Sequence, residues 1–462
     1  MHTRRQLIAS FGASTLLAAC STMSTPESAV AYPPIVFVHG NGDSAALWQT
    51  TIWRFESNGW SRERLFAFDQ PMPLARDDDT VAQPGRSSTA ESMAFLKANV
   101  EKVLRETGAT QVILIGNSRG GNTIRNYVQN GGGAAVVRQV VLGGNPAHGI
   151  WNIAGFREQS EFSARSVFLQ QLNAPKGPNG DEVTPGVQWL TLRSDHNDKY
   201  AQPDGVWIGA PGQPTHVGYD GPALKGATNR VLPGADHRET SFSPQAFAAT
   251  WAFLTGSAPP GTAIVPEAEV NLSGLLTGFG TDSNDPASGQ FTNNLPLAGA
   301  QLQVFVIDSN TGARMGEPML RQRIGADGRW GPLRGRSDTR CEFEISAPGY
   351  ATTHIYRSPF ARSSRYVNLR PDRILPTDTA AQAIVIFTRP RGYFDAQRDT
   401  MALDGQSRLP GVPPQGSGIA SAKLLSTSAA VRPISGEFNG ERVTGQTWPA
   451  RQGHITLLEL TY

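Results

Sequence analysis

Cysteine is almost missing from this chain: Cys20 and Cys341 are the only two in 462 residues. No multi-bridge disulfide framework can be built from them, so the fold has to rest on packed cores. Charge is also scarce. It makes up 17% of residues and nearly balances at a formal +2, which gives bulk electrostatics no hold on nucleic acid. Long apolar runs are lacking. The apolar stretch at residues 7–19 is shorter than the roughly 20 residues that cross a bilayer as a helix. No cluster has the spacing of metal ligands. Asp77, Asp78 and Asp79 stand without histidine or cysteine company and read as a solvated loop, so neither metal nor cofactor is expected. What is abundant is glycine (49) and proline (33), the mix of a loop-rich globular protein. The length exceeds one ordinary core and predicts two or three domains.

The first 20 residues read as a targeting segment rather than as part of the fold. Thr3-Arg4-Arg5-Gln6-Leu7-Ile8 resembles a twin-arginine export signal. Leu17-Ala18-Ala19-Cys20 resembles a bacterial lipobox, which implies cleavage before Cys20 and acylation of that cysteine. The expected product is a membrane-anchored lipoprotein, periplasmic or on the outer membrane or cell surface. Ser21, where an inner-membrane lipoprotein commonly has Asp, favours the outer membrane. The alternative is a plain signal peptide with an incidental cysteine. Residues 21–33 are rich in Ser, Thr and Pro and read as a flexible tether.

From 34 to 256 the pattern alternates between strand and helix. "PIVFVHG", "RLFAFD", "QVILIG", "RQVVLGG" and "VQWLTLRS" are short continuous apolar runs, as expected of parallel strands buried on both faces. "NRVLPG" is a weaker sixth. Ser87 or Ser88 can cap a helix running to about Thr107, and "SPQAFAATWAFLTG" closes the segment with Gly256 as its stop. The prediction is a mostly parallel sheet with helices on both faces. Residues 257–265 read as a linker. Residues 266–462 turn to short alternating strands separated by Gly, Asn, Asp and Pro, which predicts an all-β sandwich or barrel-like region. A break near residues 371–379 could divide it into two subdomains. Its turn pattern resembles that of transthyretin-like or carboxypeptidase-regulatory-like sandwiches.

Chemistry concentrates at "VILIGNSRGGNTIRNYV", residues 112–128. A buried-strand pattern runs into Gly116-Asn117-Ser118-Arg119-Gly120, and a helical pattern follows at once. A G-x-S-x-G run means little alone. Between strand and helix it fits a sharp elbow that holds the serine in a sparsely populated backbone conformation. The glycines avoid clashes across the turn, and the helix dipole favours negative charge developing near Ser118.

With these residues in hand, the chain resembles the α/β-hydrolase superfamily, and within it bacterial lipases and esterases, over about residues 33–256. The resemblance implies Ser118 as nucleophile, then an acid, then a histidine, in that chain order. His237 in "GADHRET", just before the last helix, fits the base, with His216 as the alternative. The acid is expected after "VQWLTLRS": Asp198 first, Asp195 second, Asp204 third. "VFVHGNGDS" resembles an oxyanion-hole segment, with the backbone N–H groups of Asn41 and Arg119 as donors and His39 structural. Arg119 sets a cation in the first turn of a helix, where the dipole opposes it. A compensating carboxylate is expected from Asp43 or from the run Asp77, Asp78, Asp79.

The resemblance implies a serine hydrolase of carboxylic esters acting on lipid-like substrates. The C-terminal region is then a binding module for lipid, polymer or cell envelope. A polyester depolymerase, an amidase or thioesterase on the same fold, and a non-catalytic envelope-binding protein remain open readings.

Overall fold

The alternation of apolar residues decides the layers. In β1 (Ile35–Val38), Ile35 and Phe37 point to one side of the sheet and Val36 to the other, and both sides are buried. The computed structural model describes residues 32–280 and 291–462. The expected export signal, Cys20 and residues 21–31 of the expected tether lie outside the described residues.

Five further strands join β1: β2 (Leu65–Ala67), β3 (Val112–Asn117), β4 (Val137–Gly143), β5 (Gln188–Ser194) and β6 (Thr228–Leu232). They lie in the order β2-β1-β3-β4-β5-β6, all parallel. Six helices accompany them: α1 (Gln49–Ser57), α2 (Thr89–Thr107), α3 (Arg119–Asn130), α4 (Val167–Leu172), α5 (Glu239–Phe242) and α6 (Pro244–Thr255). Phe55 of α1 and Phe247 and Trp251 of α6 cover one face, against Ile35, Phe37, Ile113 and Leu190. Leu96 and Val100 of α2 and Ile124 and Tyr127 of α3 cover the other, against Val36, Leu114 and Val140. This is the doubly covered parallel sheet of an α/β hydrolase. Ser88 caps α2 in a reciprocal capping box with Glu91, and α6 starts at Pro244 and stops at Gly256, which has φ of 78°.

α1 has no counterpart in the sequence reading. Its buried residues include Gln49, Thr50, Thr51 and Arg54, so no apolar stripe marks it. Their surroundings come from far along the chain. Trp53 joins the core of the C-terminal region and donates to the Ser363 carbonyl at 3.0 Å, while Arg54 reaches the Thr262 carbonyl at 3.1 Å.

The C-terminal region is β-rich. Its strands are β7 (Glu269–Leu275), β8 (Thr277–Gly280), β9 (Phe291–Pro296), β10 (Gln301–Val306), β11 (Leu320–Arg323), β12 (Arg329–Arg336) and β13 (Cys341–Ser346). They continue with β14 (Thr352–Arg357), β15 (Ala383–Thr388), β16 (Met401–Leu403), β17 (Ser421–Ser426), β18 (Pro433–Phe438), β19 (Glu441–Gln446) and β20 (His454–Glu459). The main sheet has the order β11-β10-β13-β14-β20-β15-β17. The last strand, β20, lies between β14 and β15 and runs parallel to both. Segments on either side of residues 371–379 therefore share one sheet, although their cores are separate. One core gathers around Phe343 and Trp330, the other around Phe387 and Phe394. Among the described residues no helix is long and apolar enough to cross a membrane.

Candidate active site

β3 is buried along its whole length and delivers Ser118 at its C-terminal end, where α3 begins. Ser118 has φ of 53° and ψ of −124°, a conformation that costs a non-glycine residue about 1–3 kcal/mol. The turn is tight enough to require its glycines. A Cβ on Gly120 would meet the Val38 and His39 carbonyl oxygens at 2.5 and 2.6 Å, and one on Gly116 would meet Ile124 at 2.7 Å. The Ser118 N–H donates to the Gly143 carbonyl at 2.9 Å, and the Asn145 amide donates to the Ser118 carbonyl at 3.0 Å. Asn145, in "GNPAHG", thus braces the elbow.

Ser118 and His237 line the same cavity, of about 740 Å³. His237 Nδ1 lies 2.9 Å from the Asp198 carboxylate, and both residues are buried. The other Asp198 oxygen accepts the Tyr200 N–H at 2.8 Å, and the Tyr200 ring meets the imidazole edge-on at 4.6 Å. Asp195 is engaged elsewhere, with His196 at 2.7 Å and the Gly234 N–H at 3.0 Å. His216 is exposed in its loop. His39 spends both ring nitrogens on backbone groups, of Gly40 and Gln70.

The loop after β1 presses on the elbow. A Cβ on Gly40 would come within 3.1 Å of the Ser118 Cβ. Asn41 lines the cavity, and its side-chain oxygen accepts the Ala75 N–H at 2.7 Å, which fixes the loop. The Arg119 side chain has a different partner from the expected ones. It is buried and pairs with Glu161, and it also donates to the Ser87 carbonyl at 2.8 Å and the Pro73 carbonyl at 3.0 Å. Asp43 is taken instead by Arg238 at 2.8 Å, Asp77 by the Gln83 amide, Asp78 by Thr80 and Asp79 by Thr89. Burial pushes the Glu161 carboxyl up, and Arg119 pulls it back.

The sequence reading assigned nothing in this site to the C-terminal region, yet Tyr393 and residues 418–421 form part of the cavity wall. The same region grips the segment that carries His237. Asp236 accepts the Tyr393 N–H at 2.6 Å and pairs with Arg389 at 3.2 Å. Glu239 pairs with Arg389 at 2.5 Å and with Arg398 at 2.7 Å, and Arg238 donates to the Pro390 carbonyl at 2.9 Å. Burial and the charge of Glu239 push the Asp236 carboxyl up, against the pull of Arg389. Away from the cavity, Glu342, Glu344 and His354 have the grouping of metal ligands, but Arg314 lies across both carboxylates at 2.6 and 2.5 Å.

Residues 32–159 match the family of class 2 lipases, and residues 268–374 match the lipase C-terminal domain. Solved structures with a likeness include the lipase BlEst2 of Bacillus licheniformis in mature form, at 20% identity over 49% of this chain and 93% of that one, with a TM-score of 0.34. The propeptide form of that lipase matches at 14% identity over 90% of this chain and 93% of its own, with a TM-score of 0.35. Lipase B of Aspergillus fumigatus matches at 15% identity over 50% of this chain and 54% of its own, with a TM-score of 0.33.

Proposed function

We propose that this chain, whose fold is a lipase/esterase-like α/β hydrolase, hydrolyses carboxylic esters with Ser118 as nucleophile, His237 as base and Asp198 as the orienting acid. One observation carries the reading: a serine in a strained elbow shares a cavity with a histidine whose far nitrogen is held by a buried carboxylate at 2.9 Å. Ser118 Oγ attacks the ester carbonyl carbon while His237 Nε2 takes the hydroxyl proton. In this reading the oxyanion is stabilised by the backbone N–H groups of Asn41 and Arg119, donors fixed by the fold that need little rearrangement in the reaction. His237 returns the proton to the departing alcohol. Water, deprotonated by the same imidazole, then releases the acyl group. Asp198 keeps Nδ1 protonated and stabilises the imidazolium. No step calls for a cofactor.

Ile150, Trp151, Phe162 and Ile208 give the cavity an apolar side suited to an acyl chain, which supports lipid-like esters. The catalytic unit spans residues 34–256 in this reading, and the β-rich region 266–462 completes the cavity. The signal at Arg4 and Arg5 and the lipobox at Cys20 support export and lipid anchoring, which the mass of the mature N-terminus would check. Labelling with a fluorophosphonate probe tests the nucleophile. The intact protein is expected to label, and Ser118→Ala is expected not to. Equal labelling of both, or none of the folded protein, would refute the assignment.

A further inference from the structure

Lys199 directly follows Asp198 and lines the cavity that contains Ser118 and His237. Its ammonium lies over three rings, Tyr393 at 4.1 Å, Trp207 at 4.8 Å and Tyr200 at 5.0 Å. It donates one hydrogen bond, to the Gly418 carbonyl at 3.1 Å. Gly418 has to be glycine here, since a Cβ would run into the Trp207 ring at 1.9 Å. The cage is therefore built from both parts of the chain: Tyr200 and Trp207 from one, Tyr393 and Gly418 from the other.

Of the other cations of the wall, Arg76 pairs with Glu91 and Arg238 with Asp43, while Arg86 donates to the Ala75 carbonyl and Arg157 lies over the Phe156 ring. Among the described residues no carboxylate lies within ion-pair distance of Lys199. Burial, with Arg238 adding to it, pushes its ammonium down to about 8, against the pull of Asp43, Asp198 and Asp236. At neutral pH it is still a cation, and beyond its bond to Gly418 its N–H groups have only the three ring faces as partners, with no oxygen acceptor. A neutral acyl chain filling the cavity would leave those N–H groups with the ring faces alone, a weaker partner than a hydrogen-bond acceptor. An anion would meet a desolvated point charge, where a charge-assisted hydrogen bond is strong.

We propose that the cavity takes esters bearing a carboxylate, which Lys199 binds while the ester carbonyl reaches Ser118. Two N–H groups without an oxygen acceptor on one point charge suit a carboxylate; a phosphate dianion asks for more donors than Lys199 has left. The inference rests on the ester-hydrolase reading and names its substrate class.

Two matched substrate pairs test it. p-Nitrophenyl hydrogen glutarate against p-nitrophenyl methyl glutarate carries the charge on the acyl side. 3-(Butanoyloxy)butanoate against its methyl ester, followed by butyrate release, carries it on the alcohol side. In at least one pair the wild-type protein is expected to favour the acid about tenfold or more in kcat/KM. Lys199→Met is expected to abolish that preference and Lys199→Arg to keep part of it. The readout is a ratio, so a general loss of activity in a variant cancels. Wild-type protein with no preference for the acid in either pair overturns the proposal, and so does a preference that survives Lys199→Met. If the Met variant does not fold, the wild-type ratios and the Arg variant decide. Ser118-dependent hydrolysis without acid preference defeats only the carboxylate subsite. Absence of any Ser118-dependent hydrolysis defeats the serine-hydrolase reading and this proposal with it.

Discussion

Asp195 and Asp198 offer the same carboxylate three positions apart, and only their surroundings distinguish them. Asp198 is buried against His237, whereas Asp195 pairs with the exposed His196. Replacing Asp198 by Asn keeps the shape but allows the imidazole to take the wrong tautomer, so its Nε2 no longer accepts the serine proton. In the proposed mechanism Asp198→Asn is expected to lower kcat/KM for a p-nitrophenyl ester by about 10⁴-fold. Asp195→Asn should stay within a few-fold of the wild type, because it removes only a surface pair worth at most about 1 kcal/mol. Similar losses in the two variants would contradict the role given to Asp198. At this scale the sequence was informative about order and poor about contact. The motif and the chain order pointed to Ser118, Asp198 and His237. The partner of Arg119 was misread, since a carboxylate 42 positions away leaves no local sign.

The elements that were readable are those whose cause is local. β3 announced itself because a parallel strand covered on both faces is apolar throughout. α2 and α6 announced themselves through the cap at Ser87 or Ser88 and through the stop at Gly256, each at the helix end itself. α1 was hidden because its polar residues are buried against distant parts of the chain, Arg54 against Thr262 and Gln49 against Arg391. β20 was legible as a strand, but its place between β14 and β15 was not, because those neighbours lie far earlier in the chain. α3 combines both kinds of cause. Its elbow was legible, whereas the buried ion pair that anchors its first turn was not. Removing one partner of such a pair leaves the other as an uncompensated buried charge. Glu161→Gln is therefore expected to destabilise the protein by about 3–5 kcal/mol, read as a lowered urea midpoint. The apolar double variant Arg119→Met/Glu161→Leu should recover much of that loss. If Glu161→Gln unfolds at the wild-type midpoint, Arg119 does not depend on this carboxylate.

On the scale of the whole molecule, the C-terminal region belongs to the site and not merely to its neighbourhood. Tyr393 and residues 418–421 wall the cavity, and Arg389 holds the acidic residues on both sides of the His237–Arg238 pair, Asp236 and Glu239. In the proposed mechanism an arginine in that place would set where the imidazole stands, because the Asp198 end of the histidine is held from a different loop. Misplacing a reacting group by about 1 Å can cost about 10²-fold in rate without changing how the substrate is held. Arg389→Met removes the guanidinium that ties Asp236 to Glu239 and to the Tyr393 carbonyl and leaves only Arg398 beside them, so the segment loses its main tether to the C-terminal region. The expected result is a fall in kcat of about tenfold or more for a small neutral ester, with KM changed by no more than a few-fold. Arg389→Lys keeps the charge but loses the fork that reaches both carboxylates, so it should restore only part of the rate. The measurement is steady-state kinetics on protein shown to be folded by circular dichroism. If kcat falls only in proportion to the unfolded fraction, Arg389 supports the fold and does not position His237. If KM rises while kcat stays, the C-terminal region acts on substrate binding alone.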